Sequence, residues 1–358
     1  MRSALALARR GLGSVWPNPA VGCVIVRDGR MVGRGWTQPG GRPHAEAEAL
    51  ARAGAAARGA TAYVTLEPCC HWGRTPPCAD ALIAAGVGRV VTAMPDPDLR
   101  VNGQGHARLE AAGIAVTTGV LAEEAAIAHA GHLVRVTKSR PHVMLKLAVS
   151  ADGMIGRREG ERMLVSGKHA FEVVQIMRTA YDAMMVGIGT VLVDDPRLTV
   201  RLPGLARRTP ARVVLDAFAR MPPTAKLLQT IDEAPLEVFV ASDAPHERIA
   251  ALMAAGAEAI PVAASGGRLD LAAVLQQLAI DGFTRLLAEG GAEVASSLIS
   301  ADLVDEVIII RAPVIVGADG VRALGGMALS AIERSPRYRQ IDVALVGEDV
   351  MRTYQRAA

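Results

Sequence analysis

The chain has 358 residues, 51% of them hydrophobic and 21% charged, with a formal net charge of +3. That balance excludes a disordered chain, and so weak a charge gives no electrostatic case for a nucleic-acid partner. No apolar run approaches the roughly 20 residues of a membrane span, and the length exceeds what one core usually fills, so two soluble domains are expected. Three of the four cysteines fall between positions 69 and 78, a poor disulfide framework. The helical run at residues 1–8 is broken by Arg9-Arg10 and does not read as a signal peptide. A reducing, cytoplasmic compartment and a metal site are therefore expected.

In chain order, residues 1–12 predict a helix ending near Gly11 or Gly13. Residues 21–26 are β-rich, Asp28-Gly29 is a hairpin turn signal, and residues 31–36 return as the second strand. A helix from His44 to Ala53 is stopped by Gly54. Strand 61–66, helix 79–85, strand 89–94, helix 105–112, strand 114–118 and helix 121–133 complete a three-layer α/β half. The polar stretch 136–141, with Ser139-Arg140-Pro141, marks the boundary, giving domains at 1–138 and 139–358. The second half opens on strand 142–150. Helix 167–180, strands 182–187, 211–215 and 236–241, helices 244–255 and 270–281, strand 284–288, helix 291–300 and strand 304–310 follow. There is no internal repeat.

The chemistry concentrates in His44-Ala45-Glu46 and in residues 66–78, which carry Pro68-Cys69 and Cys78. A His-x-Glu followed by Pro-Cys and a further Cys is the ligand pattern of a zinc-dependent nucleobase deaminase. One imidazole and two thiolates hold Zn²⁺ and leave its fourth position open. Glu46, two residues from His44, is placed to move protons rather than to bind metal. A closed structural zinc clip built from Cys69, Cys70, Cys78 and His44 or His71 is the bland alternative, and it leaves Glu46 without a purpose. Cys23, in an apolar strand, reads as core.

These residues resemble the bifunctional riboflavin-biosynthesis deaminase-reductases. The resemblance rests on Pro17-Asn18-Pro19 leading into Val21–Val26, on Pro43-His44-Ala45-Glu46, and on Leu66-Glu67-Pro68-Cys69 through Gly73-Arg74-Thr75-Pro76-Pro77-Cys78. The eight residues between Cys69 and Cys78 distinguish this pattern from most cytidine and tRNA-adenosine deaminases. The resemblance implies a cytidine deaminase-like α/β/α domain, with His44, Cys69 and Cys78 on zinc and Glu46 as proton shuttle. It places Asn18, His71 and Arg74 on a phosphoribosyl-pyrimidine. Thr37 stands where such proteins commonly have His, and Asp98 where Asn is usual.

Read without the family, Val186-Gly187-Ile188-Gly189-Thr190 and Glu289-Gly290-Gly291-Ala292 are glycine turns. The second, before a helix, is the better anion cradle. Residues 140–152, 187–201 and 289–303 resemble the reductase half of the same family, a dihydrofolate reductase-like α/β domain using NADPH. On that resemblance Ala148, Leu164, Thr190, Asp194, Gly291, Ala292, Glu293, Val294, Ala295, Ser296 and Ser297 contact the cofactor. Arg162, Arg178, Leu198, Arg201 and Glu289 hold the substrate. Arg162 and Leu164 replace the usual Ser and Trp. The partners expected are a small phosphoribosyl-pyrimidine and further copies of the chain, with no nucleic acid and no membrane. A deaminase of another nucleotide or of tRNA, and a catalytically silent zinc-stabilised assembly protein, are the competing readings.

Overall fold

The computed structural model describes residues 1–73, 75–157 and 163–357. It divides into two compact units, Met1–Pro141 with Ala279–Thr284, and His142–Leu278 with Arg285–Ala358. Both are α/β. Among the described residues no helix is long and apolar enough to cross a membrane.

The first unit runs α1 (Arg2–Ala8), β1 (Gly22–Arg27), β2 (Arg30–Trp36), α2 (Ala45–Ala53), β3 (Thr61–Val64) and α3 (Cys78–Ala84). It continues with β4 (Arg89–Thr92), α4 (Gln104–Ala111), β5 (Ala115–Thr117), α5 (Ala122–Ala128) and α6 (Ala130–Lys138). The sheet order is β2-β1-β3-β4-β5, antiparallel through the opening hairpin and parallel from β3 onward. Asp28 (φ 49°) and Gly29 (φ 71°) supply the two positive φ angles that match a tight hairpin to the twist of its strands.

Glycines on this hairpin set how closely α2 approaches it. A Cβ on Gly33 would lie 2.2 Å from the Ala49 carbonyl oxygen, and one on Gly35 2.4 Å from that of Ala45. The helix that carries His44 and Glu46 is therefore seated backbone-on-backbone, and the small residues Ala45, Ala49 and Ala53 fill its buried face. The single helix expected at 121–133 is two, broken at His129. That imidazole bonds the Thr65 carbonyl at 3.0 Å, and burial pushes it down to about 4. Placing His129 and His132 inside costs the continuity of the helix.

The second unit begins β6 (His142–Val149), β7 (Met154–Arg157), α7 (Lys168–Arg178), β8 (Ala183–Gly187), α8 (Ile188–Asp194) and β9 (Ala211–Leu215). Next come α9 (Lys226–Gln229), β10 (Leu236–Ala241), α10 (His246–Ala254), β11 (Glu258–Val262), β12 (Ala264–Ser265), β13 (Arg268–Leu269) and α11 (Leu271–Ile280). The unit closes with β14 (Arg285–Ala288), α12 (Ala292–Ser300), β15 (Glu306–Arg311), β16 (Gly320–Arg322), α13 (Ser330–Glu333), β17 (Tyr338–Val346) and β18 (Asp349–Arg356). Its main sheet has the order β11-β10-β9-β8-β14-β6-β15-β18-β17, parallel except where β18 and β17 add antiparallel at one edge. The chain winds outward from β8 to β11, then returns to insert β14 between β8 and β6. Such a reversal opens a crevice at the carboxyl ends of the strands beside it, where open α/β sheets bind ligands.

One buried charge anchors this sheet. Arg212, in β9, is wholly buried. It donates to the carbonyls of Leu227 (3.1 Å), Thr230 (2.9 Å) and Ala234, and to the Thr230 hydroxyl (2.7 Å). Replacing it by Ala strands several buried acceptors at once, so Arg212→Ala is expected to destabilise this unit by about 3–5 kcal/mol. Urea unfolding of the variant against the parent chain measures that loss, and an unchanged midpoint would make the carbonyl cage energetically idle.

Candidate functional site

The first site forms beyond the carboxyl end of β3, where the chain leaves the sheet through Thr65–Pro68 and returns as α3. His44 is the N-cap of α2, Glu46 lies in that helix's first turn, and Cys78 is the first residue of α3. The His44 Nδ1 is 3.3 Å from the Cys78 sulfur and 3.6 Å from that of Cys69. All three ligand atoms fall within 4.8 Å of one another. Tetrahedral zinc with ordinary Zn–N and Zn–S bonds separates such a nitrogen and sulfur by roughly 3.6 Å. Two thiols and an imidazole nitrogen turned toward one point are also the soft donor set that zinc takes. The residues fit the metal.

Electrostatics around the three groups are tightly linked. Hydrogen bonding to Cys78 holds the Cys69 thiol down to about 4, with His44 adding to the effect. The same contact, with burial, pushes Cys78 up. Glu46 is 3% exposed; burial pushes its carboxyl up, His44 opposes this, and Cys69 adds to it. A carboxyl displaced toward neutrality is suited to taking and giving a proton.

Cys70 ties the metal loop to its neighbour. Its thiol donates to the Arg100 carbonyl at 3.3 Å, and burial pushes it up, so it stays protonated as a tie to the neighbouring loop. That engagement removes it from the closed zinc clip. The loop is further braced by Glu67 and Arg108, which the sequence reading did not single out. The Glu67 carboxylate accepts from the backbone N–H groups of Asp96 (3.2 Å), Gly103 (3.0 Å), Gly105 (2.8 Å) and His106 (3.1 Å), fixing the start of α4 beside the metal loop. From α4, Arg108 grips both Asp80 carboxylate oxygens and the Cys70 carbonyl.

Among the expected substrate contacts, Asn18 lies over Gly41, where a Cβ would fall 2.0 Å from its Nδ2. The His71 Nδ1 is buried with no partner among the described residues. Arg74 lies outside them. Thr37 has a structural use: its hydroxyl accepts from the Val21 N–H and donates to the Pro19 carbonyl, both at 3.0 Å, holding the Asn18 loop. Asp98 is paired with Arg100, which holds its carboxyl down to about 2.

The second site gathers at the carboxyl ends of β6, β8 and β14. Arg178, at the end of α7, meets Glu289 in a two-point pair (Nε–Oε1 2.5 Å, Nη2–Oε2 2.9 Å) and also donates to the Thr199 carbonyl at 3.1 Å. Lys146 of β6 approaches the same carboxylate at 3.5 Å. Burial alone would push Glu289 up; Arg178 and then Lys146 reverse this and hold it down to about 2. Lys146 was passed over in the sequence, although a cation in the otherwise apolar run of β6, and one of only four lysines, was a legible signal.

Both glycine turns open a short approach between helices. Gly290 (φ 95°) and Gly291 (φ 89°) both take the left-handed conformation before α12. A Cβ on Gly291 would lie 3.3 Å from the Thr190 hydroxyl, so the α12 and α8 turns face each other. Ala148, Thr190, Asp194, Gly291 and Ala292 are all half-buried. Not every residue of the expected contact run takes part through its side chain. Val294 and Ala295 point into the core, Ser296 bonds its own helix at Glu293, and Glu293 is exposed. Leu198 is likewise core, held at φ 52° in a region that bulky residues avoid, so what it can offer a ligand is main chain. Arg201 is exposed over the Phe171 ring at 5.4 Å. Leu164 is exposed, and Arg162 lies outside the described residues.

The chain matches the RibD C-terminal domain over residues 141–352 and the cytidine and deoxycytidylate deaminase zinc-binding region over residues 1–94. It is 40% identical to the riboflavin biosynthesis protein RibD of Escherichia coli, over 98% of this chain and 96% of that protein. It is 37% identical to the RibD of Aquifex aeolicus, over 99% and 97%. The solved structure of Acinetobacter baumannii RibD aligns with a TM-score of 0.88 at 36% identity, covering 100% of this chain and 98% of that one. A diaminohydroxyphosphoribosylaminopyrimidine deaminase/5-amino-6-(5-phosphoribosylamino)uracil reductase from Thermotoga maritima aligns with a TM-score of 0.86 at 33% identity, covering 100% and 97%. Shared over its whole length with these proteins, the chain belongs to the RibD family of riboflavin biosynthesis proteins.

Proposed function

We propose that the chain carries out two successive steps of riboflavin biosynthesis, one in each unit. Residues 1–138 deaminate 2,5-diamino-6-(5-phosphoribosylamino)pyrimidin-4(3H)-one to the corresponding uracil. Residues 139–358 then reduce the ribosyl group to ribityl with NADPH. The observation that carries the first assignment is the buried Glu46 beside three zinc-type donors at tetrahedral spacing. Thiols that must stay reduced favour the cytoplasm, where the chain would act as a homo-oligomer.

In the first step His44, Cys69 and Cys78 hold zinc, which when bound makes water a nucleophile at neutral pH by lowering its pKa to roughly 7. Glu46 takes one proton of the attacking water and passes it to the ring nitrogen as the C–O bond forms. It then carries the second proton, from the added hydroxyl, to the amine, which leaves as ammonia when the C–N bond breaks and the carbonyl forms. Asn18 offers a donor and an acceptor to the pyrimidine edge, and the Glu67 and Arg108 braces keep Cys69 in register.

In the second step Ala148, Thr190, Asp194 and the Gly290-Gly291 turn hold NADPH, which supplies the hydride. Glu289, fixed by Arg178 and Lys146, orients the sugar at the same strand ends, and Arg201 supplies a cation for the phosphate. Product analysis of the purified protein tests the whole reading. With the diaminopyrimidine phosphate alone it is expected to release ammonia and form the ribosyl uracil; adding NADPH is expected to yield the ribityl product. NADPH oxidation without prior ammonia release would reverse the order, and no ammonia would remove the first step.

A further inference from the structure

We propose that Arg42 determines the specificity of the first site by holding the substrate's phosphate. This rests on reading that site as a phosphoribosyl-pyrimidine deaminase and adds a residue from outside the metal loop.

Arg42 precedes Pro43-His44 in sequence, yet its side chain reaches the far arm of the Cys69-to-Cys78 loop. Its Nη1 donates to the Thr75 hydroxyl. A Cβ on Gly73 would lie 2.8 Å from its Nη2, so the bare backbone of that glycine is what lets the guanidinium settle on the loop. It stands two residues before His44 and touches the loop that links Cys69 to Cys78, so it lies beside the metal donors.

Several arginines of this unit are paired with a carboxylate; Arg42, like Arg89, is not among them in the described residues. In the same unit Arg52 pairs with Glu48, Arg100 with Asp98 and Arg108 with Asp80. Arg42 is half-buried and, among the described residues, meets no carboxylate. A partly desolvated cation with only a neutral hydroxyl for company is costly unless an anion completes it. The phosphoribosyl-pyrimidine has one anionic group, its phosphate, and a guanidinium is the side chain that grips phosphate at two points. The ring end of the substrate is served by the metal ligands, Glu46 and Asn18, and Arg42 joins the cations of the metal loop on the phosphate.

The test compares deamination of the phosphorylated substrate with that of its dephosphorylated nucleoside, using the full zinc-loaded chain. The ratio of the two kcat/KM values measures the grip on phosphate directly. Arg42→Ala is expected to lower that ratio about 10- to 100-fold, mainly through KM for the phosphorylated substrate, and Arg42→Lys to restore part of it. A ratio equal to the parent's, with both substrates slowed alike, would overturn the proposal and leave Arg42 as a brace of the metal loop. Should Arg42→Ala fail to retain zinc, Arg42→Lys decides: a several-fold fall in the ratio supports the phosphate role, and no fall overturns it. If the parent chain itself released no ammonia, the underlying reading would fall and this proposal with it; ammonia release with an unmoved ratio removes the proposal alone.

Discussion

Glu46→Gln is expected to slow ammonia release by about 10²–10⁴-fold while zinc stays near one ion per chain. The substitution keeps the volume of a side chain that is 3% exposed, so packing around α2 changes little. It removes the one group at the site placed to carry a proton from water to the pyrimidine. His44, Cys69 and Cys78 lie within 4.8 Å of one another without help from Glu46, so the metal should be indifferent to the change. Zinc content by chelator titration and ammonia release by coupled assay, on the same preparation, separate the two roles. Loss of both together would make Glu46 a structural partner of the metal loop; retention of both would mean that another group carries the proton.

The parts of this protein legible from sequence were those fixed by short covalent spacing. Asp28-Gly29 declared the hairpin, Gly54 ended α2, and the run from Leu66 to Cys78 assembled its metal donors because α3 begins at Cys78. What escaped notice depends on partners remote in sequence. Arg42, Lys146 and Arg108 acquire meaning only when the fold brings Thr75, Glu289 and the Cys70 carbonyl to them. Residues 186–190 read as a glycine turn, and the short helix Ile188–Asp194 went unexpected because Gly189 masks it. The C-terminal hairpin of β17 and β18 was not predicted. Along β17 the inner face alternates poorly, Arg339 through Val343 being exposed, as suits an edge strand. Leu198 shows the opposite failure: the resemblance puts it on the substrate, but its side chain turns into the core.

The ion group of the reductase unit carries the strongest consequence for acid stability. Glu289 is buried, and its carboxyl is held from the usual 4.5 down to about 2 by Arg178 and Lys146, against the cost of burial. A depressed folded-state value means the ionised form stabilises the fold. That stabilisation is complete above about 4.5 and disappears as pH falls toward 2, and at neutral pH it is worth about 3 kcal/mol. Glu289→Gln should therefore destabilise this unit at pH 7 by about 3–5 kcal/mol, because it leaves the Arg178 guanidinium buried beside Lys146 without a neutralising charge. The gap between parent and variant should narrow as pH drops from 4.5 to 2, since the parent loses the same interaction by protonation. Urea unfolding at pH 7 and pH 3 measures both gaps. A gap of equal size at the two pH values would mean that Glu289 acts through shape and hydrogen bonding alone. Reductase turnover should fall in the variant as well, because Gln can keep neither the two-point grip of Arg178 nor the charge that holds Lys146 at 3.5 Å. Full turnover in a destabilised variant would confine Glu289 to the scaffold and move the substrate contact to Lys146.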